Sequence, residues 1–452
     1  MRLRKTITTI VATVILLAGW QLFSVTANQP ELIPSLPRLV RTLCELLVSG
    51  SFYQSVGVTL FRGILGMSIS FVCAIGMAGL FARFEWVYEL FRPLLAIMRS
   101  IPVISFILLA LIFLNPESIP LMIAFLTMFP LLTENLTRGI LDLRPGLSIM
   151  ARQFHIKPSN VLFQIIYPQL KPFLYSGLAS AAGFGWRAII MGEVLSQCAF
   201  GIGSEMKRAQ NFIAVPELLA WTIVAVFISF FFDKGISKIA DITPKISFSG
   251  EDKTIPNPTL SVLNTKEISY QYGIKHFSHS FQKGIIYGIS APSGKGKTTL
   301  LNLIGGILFP MEGEIHPTRH FGIATIFQQP QLLPHLTAEE NIILPLSSFL
   351  TEEKARRIAQ KHLQEMEMEP FGNRYPKELS YGQQQRIAIA RALAYPSPLL
   401  LMDEPFKGLD EALSHRIIER IREKQMKEER IILFTSHNPD EIRLLADEVI
   451  YL

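Results

Sequence analysis

Residues Ala291-Pro-Ser-Gly-Lys-Gly-Lys-Thr-Thr299 decide how this chain is read. They follow a short apolar run, 285–289, and open a helical pattern through Leu300, Leu301 and Leu303. Glycine accepts the tight turn that aims backbone N–H groups at an anion, so Gly294 and Gly296 form a cradle for phosphate oxygens. Lys297 adds a point charge for the β and γ phosphates, and the Thr298 hydroxyl suits Mg²⁺. The pattern is G-x-x-x-x-G-K-[ST] with Ala291 in place of the first glycine, a difference of one methyl group. Ala291, Pro292, Ser293, Gly294, Lys295, Gly296, Lys297, Thr298 and Thr299 are therefore the candidate nucleotide-binding segment.

Downstream, Pro398-Leu-Leu-Leu-Met-Asp-Glu404 has the composition of a buried strand ending in two carboxylates. Asp403 suits a Mg²⁺ contact, because a hard cation at phosphates takes oxygen ligands. Glu404 follows on the other side of the strand and suits orienting or deprotonating an attacking water. From Lys283 onward apolar strands alternate with helical segments, which predicts an α/β domain with a mainly parallel sheet.

The rest of the chain is different in kind. Its 452 residues, 49% hydrophobic and 18% charged, exceed one ordinary domain and are too apolar for an ordinary soluble one. Up to residue 243 there are 19 basic and 12 acidic residues, and beyond it 24 and 25. A basic, apolar half beside a nearly neutral one reads as a membrane domain joined to a soluble domain, and argues against nucleic acid as a partner. Charge-poor stretches predict six transmembrane helices, at 6–25, 58–82, 100–116, 118–133, 172–200 and 218–232. The first is expected to be an uncleaved anchor rather than a signal peptide. Basic residues gather before span one, between spans two and three and between four and five, so the N-terminus and everything after residue 243 are expected in the cytoplasm. Arg187 and Glu193 fall inside span five and are candidates for a translocation path, with a helix end or a watery mouth as the alternative. Cys44, Cys73 and Cys198 are widely spaced and read as buried small hydrophobes. The proline-containing stretch 244–259 reads as an exposed linker between domains 1–243 and 260–452.

Between the phosphate loop and the Asp-Glu strand lies Leu379-Ser-Tyr-Gly-Gln383, which resembles the Leu-Ser-Gly-Gly-Gln signature of ABC ATPases, with Tyr381 replacing a glycine. Other positions of that family follow in order: Gln328 as its Q-loop residue, Gly408-Leu409-Asp410 as its D-loop and His437 as its switch histidine. Tyr272 looks like its adenine-stacking aromatic. In the cytoplasmic loop, Leu147, Met150, Ala151 and Phe154 recur at helical spacing between Pro145 and Pro158. With Ile165, Tyr167 and Pro168 this loop is similar to the coupling loop of binding-protein-dependent importer permeases, although the family's Glu and Gly are missing. Leu32-Ile-Pro-Ser35, Arg99-Ser-Ile-Pro102 and Gly185-Trp-Arg187 with Glu193 resemble the nitrate, sulfonate, taurine and thiamine-precursor permease group.

The resemblance implies an all-α membrane domain and an α/β P-loop NTPase domain with a helical signature subdomain, in one ATP-driven importer subunit of the cytoplasmic membrane. It implies ATP and Mg²⁺ as cofactors, with Glu404, His437 and Gln328 catalytic and Thr298, Gln328 and Asp403 at the metal. Ser380, Gly382 and Gln383 would complete the ATP site of a second copy of the chain. Membrane lipid and an external solute-binding protein are the other implied partners. A small antiparallel sheet near adenine is expected to be trimmed, because the segment 272–291 is short for the family, and no added regulatory domain is expected after His437. The alternatives are a fused exporter half, which long cytoplasmic helical extensions would mark, and a membrane nucleotide sensor, which has no need of Glu404.

Overall fold

The computed structural model describes residues 2–27, 29–240, 244–249, 260–271, 273–292, 294–317 and 322–452. They form two compact units, Met1–Leu143 with Gln169–Ile242, and Arg144–Pro168 with Thr243–Leu452. The loop 144–168 thus belongs to the C-terminal unit, although the sequence places it inside the membrane half.

The first unit is helical. Gly50–Arg83, Pro116–Leu141, Pro158–Ser196 and Val215–Lys238 are each long and apolar enough to cross a membrane. The helix Arg2–Ala27 covers the expected first span, and its shorter apolar stretch is Val11–Ala27. Six spans are not reached among the described residues. The expected span 100–116 is the 11-residue helix Val103–Phe113, about 16 Å at 1.5 Å per residue, roughly half of a hydrocarbon core. It is bent by 95° from Glu85–Ser100, so the pair makes at most one broken or re-entrant span. The break has a local cause: Pro102 disfavours the helical region for Ile101, which is extended at ψ 129°. Inside the bundle, small residues bring helices together: a Cβ on Gly66 would lie 2.7 Å from that of Ala124, and one on Gly185 2.0 Å from Met128. Cys198 is buried as expected, but Cys44 and Cys73 are exposed on their helices.

The second unit carries eight strands among the described residues: β1 Val262–Tyr270, β2 Ile274–Gln282, β3 Ile286–Ser290, β4 Glu312–His316, β5 Ile323–Ile326, β6 Leu399–Asp403, β7 Ile431–Thr435 and β8 Glu448–Tyr451. β2, β1 and β4 make a three-stranded antiparallel sheet, so the sheet expected to be trimmed is present. β5, β6, β7, β3 and β8 lie in that order in a parallel sheet. Every residue of β5, β6 and β7 is buried, which explains their largely apolar composition. Helices Ala338–Leu346, Glu352–Glu365 and Tyr381–Ala394 pack together beside it.

The loop 144–168 docks into this unit. Its helix Pro145–Gln153 turns Leu147, Met150 and Ala151 inward, and these with Phe154 join one core with Leu332, Leu336, Ile343, Leu346 and Tyr395. Burying the three large side chains contributes about 1.5–3 kcal/mol each. The Phe154 ring meets Tyr395 edge-on at 5.2 Å, and the Arg391 guanidinium lies 5.5 Å from its centroid. Burial lowers the Arg391 pKa to about 10, so it stays charged at neutral pH, and its two terminal nitrogens donate to the carbonyls of Gln331 and Pro330. The linker is not free at its start: Ile246 and Phe248 pack on the core, and the Gln164 amide donates to Pro244 O. Asn160, 1% exposed, donates to Ser247 O and Ser347 Oγ, and its Oδ1 accepts from Ser247 N, all at 2.8 Å. Residues 250–259 lie outside the described residues. Asn160→Ala removes these buried bonds at a cost of about 2 kcal/mol, so amide exchange at Ser247 and Ser249 accelerates about 30-fold, read by hydrogen-exchange mass spectrometry.

Candidate functional site

A parallel sheet places the carboxyl ends of its strands on one edge, where ligands of open α/β folds bind. Here β3 ends at the phosphate loop, β5 just before Gln328, β6 at Asp403 and Glu404, and β7 just before Ser436 and His437. The loop turns at Gly294 (φ +79°) and Gly296 (φ +96°), left-handed conformations that favour glycine. Gly296 caps the helix Lys297–Ile304, whose N-terminal N–H groups point toward an anion site. Lys297 is buried, and its Nζ donates to Ala291 O at 2.6 Å across the loop. Ser293 and Tyr272 lie outside the described residues.

Asp403 gathers three elements. Its Oδ2 accepts from Thr298 Oγ1 at 2.9 Å and its Oδ1 from Thr435 Oγ1 at 2.8 Å. Burial pushes its pKa up, against the pull of those two hydroxyls and Lys297. A hydroxyl and a carboxylate oxygen converging beside a phosphate cradle is a donor pair that fits Mg²⁺, which completes its shell with water and substrate phosphate. Gln328 lies beside the Glu404 carboxylate and is one of the groups that lower its pKa.

Glu404 stands at φ +49°, a left-handed conformation costing a non-glycine residue about 1–2 kcal/mol, and its N–H is fixed by Thr435 Oγ1 at 3.1 Å. His437 Nε2 lies 3.1 Å from one carboxylate oxygen and Lys407 Nζ 3.3 Å from the other. Burial pushes the Glu404 carboxyl up, but the donors Gln328 and Lys407 and the electrostatic pull of Lys407 and His437 outweigh it and hold the pKa below its ordinary value. The group is therefore an ionised acceptor at neutral pH, aimed at the same edge as the phosphate loop. Sequence reasoning found Asp403, Glu404, Gln328 and His437 but missed Thr435 and Lys407. The i, i+3 spacing of Glu404 and Lys407 is the signal that was available for the second.

Ser380 and Gln383 form a reciprocal cap at the start of the helix Tyr381–Ala394, with Gln383 N donating to Ser380 Oγ and Ser380 N to Gln383 Oε1. Ser380 and Tyr381 are exposed, as a surface that completes another site requires. Gly382 admits no side chain, since its Cβ would lie 2.5 Å from Gly408 O.

In the helical unit, Arg187 and Glu193 are not brought together. Arg187 is exposed, while Glu193 is fully buried and receives the Arg62 guanidinium at 2.8 Å, the Thr59 hydroxyl and Gly203 N. Arg62 also bonds Phe200 O and Glu117. Glu193 is thus an anchor for the segment around Phe200–Gly203. Its partner Arg62 was visible in sequence only as a stray charge near the start of a span.

A membrane-helical unit and an α/β unit with a phosphate loop, an Asp-Glu strand end and a capped serine helix are the two halves of a nucleotide-driven transporter. Residues 274–407 match the family model described as ABC transporter, and residues 69–233 that of the binding-protein-dependent transport system inner membrane component. An uncharacterized ABC transporter ATP-binding protein of Methanocaldococcus jannaschii, MJ0796, is 34% identical over 201 residues, 40% of this chain and 85% of that protein. The chain belongs to the ABC transporters, with permease and ATPase fused. The Fe(3+) ions import ATP-binding protein FbpC of Rhizobium etli is 35% identical over 189 residues, 40% of this chain and 54% of its own length. The glucose import ATP-binding protein GlcV of Saccharolobus solfataricus is 35% identical over 185 residues, 38% of this chain and 52% of its own. The chain thus spans about half the length of these import relatives. The dimeric structure of MJ0796 bound to ADP and Pi is 32% identical, covering 42% of this chain and 94% of that one at a TM-score of 0.39.

Lys407→Met removes a cation that lowers the Glu404 pKa. The acid limb of the kcat/KM profile for Mg·ATP hydrolysis therefore moves to higher pH than in the wild type, and the displacement shrinks at high salt because Lys407 is half-exposed.

Proposed function

We propose that the chain is the combined permease and ATPase subunit of an importer, working as a homodimer in the cytoplasmic membrane and taking a small solute from an external binding protein. The observation that carries this reading is the burial of Leu147, Met150, Ala151 and Phe154 of the permease loop in the core of the ATPase unit, which gives nucleotide-driven movement a contact through which to act. Because loop 144–168 and the C-terminal residues form one unit, they lie on one side of the membrane, and the basic loops make that side the cytoplasm. The N-terminus shares it when six crossings separate the two.

The chemistry follows from side chains. Backbone N–H groups behind Gly294 and Gly296 take phosphate oxygens, and Lys297 exchanges Ala291 O for the β and γ phosphates. Thr298 and Asp403 would hold Mg²⁺, which when bound neutralises phosphate charge. Glu404 orients the attacking water and accepts its proton, Gln328 steadies Glu404, and His437 holds the carboxylate in line and reaches toward the γ-phosphate. Ser380 and Gly382, presented on the capped helix, complete the site of the second copy, and Tyr272 stacks on adenine. One phosphate loop and one signature per chain require two chains for two complete sites.

The solute is left open by these residues. The import relatives named above act on Fe(3+) ions and glucose, so the ATPase half does not select it. Hydrolysis by the purified chain in lipid is the test. Glu404→Gln keeps ATP binding and lowers kcat at least about 100-fold, and equal rates for variant and wild type would remove the catalytic assignment. Stimulation of the wild type by a neighbouring solute-binding protein with its ligand supports import over export.

A further inference from the structure

The residue that departs from the signature pattern has a contact of its own. Tyr381 stands where the family carries glycine, and its hydroxyl donates to the backbone carbonyl of Gln328 at 2.7 Å. Its ring lies over Gly408, where a Cβ would come within 2.7 Å of Cδ1, and Gly408 is left-handed at φ +81°. One signature side chain therefore touches two other motif loops within a single chain. Ten residues along the same helix, Arg391 donates to Pro330 O and Gln331 O at 2.9 and 2.8 Å. The segment 328–331 is stapled to the signature helix at both ends.

The staple leads to the reacting groups. The Gln328 backbone is held by Tyr381, while the Gln328 side chain lies beside the Glu404 carboxylate and helps to hold its pKa down. We infer that Tyr381 is a positioning residue for the hydrolytic site of its own chain, holding Gln328 so that its amide keeps Glu404 oriented, and thereby linking the signature helix to the phosphate site in cis. A glycine at 381 has neither the hydroxyl nor the ring to do this. The inference rests on the ATPase reading proposed above.

The test uses the full chain in lipid with Mg·ATP. Tyr381→Phe keeps the ring on Gly408 and loses only the hydroxyl, and it lowers kcat about 3- to 30-fold while KM for ATP stays within about 2-fold, the signature of a group acting on the chemical step. In a Gln328→Ala background the same change has no further effect, because Tyr381 acts through Gln328. Unchanged kcat in Tyr381→Phe, or multiplying effects in the double variant, overturns the inference. Hydrogen exchange gives a readout independent of turnover: Tyr381→Phe raises amide exchange around Phe327–Gln329 by roughly 5-fold or more, the loss of about 1 kcal/mol, and unaltered exchange is equally fatal. A wild-type chain that binds ATP without hydrolysing it instead defeats the ATPase reading, and the exchange result then decides the inference alone.

Discussion

The buried carboxylate of Asp403 is the constraint on which the site depends. It stands at the end of a strand whose five residues are all buried, where its charge loses most of its hydration. Thr298 and Thr435 meet that cost by donating to one oxygen each, and in doing so fix the start of the phosphate-loop helix and the end of the neighbouring strand. Thr435 serves twice, since its oxygen also receives the Glu404 N–H and holds that residue in its left-handed conformation. Removing the hydroxyl at 435 would leave a buried carboxylate oxygen short of a donor and release Glu404 at once, which makes these contacts interdependent.

The second dependence is mechanical. The permease loop offers an apolar stripe about two helical turns long, and the ATPase unit closes over it with the same core that supports its signature helix. Arg391 stands at that junction, donating to the 330–331 backbone on one side and facing Phe154 on the other. A displacement of the Gln328 segment therefore presses on Phe154 without an intervening flexible element, because packed interiors shift between arrangements instead of deforming smoothly. The bound start of the linker, clasped by Asn160 and Ser347, adds a covalent route from the last membrane helix to the same place.

How much of this was legible in the sequence depended on the range of each interaction. The phosphate loop, the Asp403 strand and the stripe at 147–154 are local patterns, and each falls on the element its pattern predicts. Thr435 was missed because its role exists only once β6 and β7 lie side by side, whereas Lys407 pairs with Glu404 locally at i, i+3. The membrane half was less readable for a related reason. Absence of charge marks what tolerates lipid, but length and direction are set by the backbone, and Ile101-Pro102 breaks a run that composition leaves intact. At the start of the linker, 244–249, proline-containing composition likewise does not announce the contacts that hold it.

Glu193 shows the same limit at the level of function. An acidic residue in an apolar span raises the expectation of a path for solute. Here the strong donors around it are already committed: Arg62 and Thr59 come from one helix and Gly203 from the first turn of the helix Ile202–Asn211, and side chains at Gly201 or Gly203 would collide with Glu193. A carboxylate so completely satisfied gains nothing by exchanging these partners for a passing solute, and losing Arg62 would leave it buried and uncompensated at a cost of about 3–5 kcal/mol. The pair is better suited to hold the segment 197–203 in one shape.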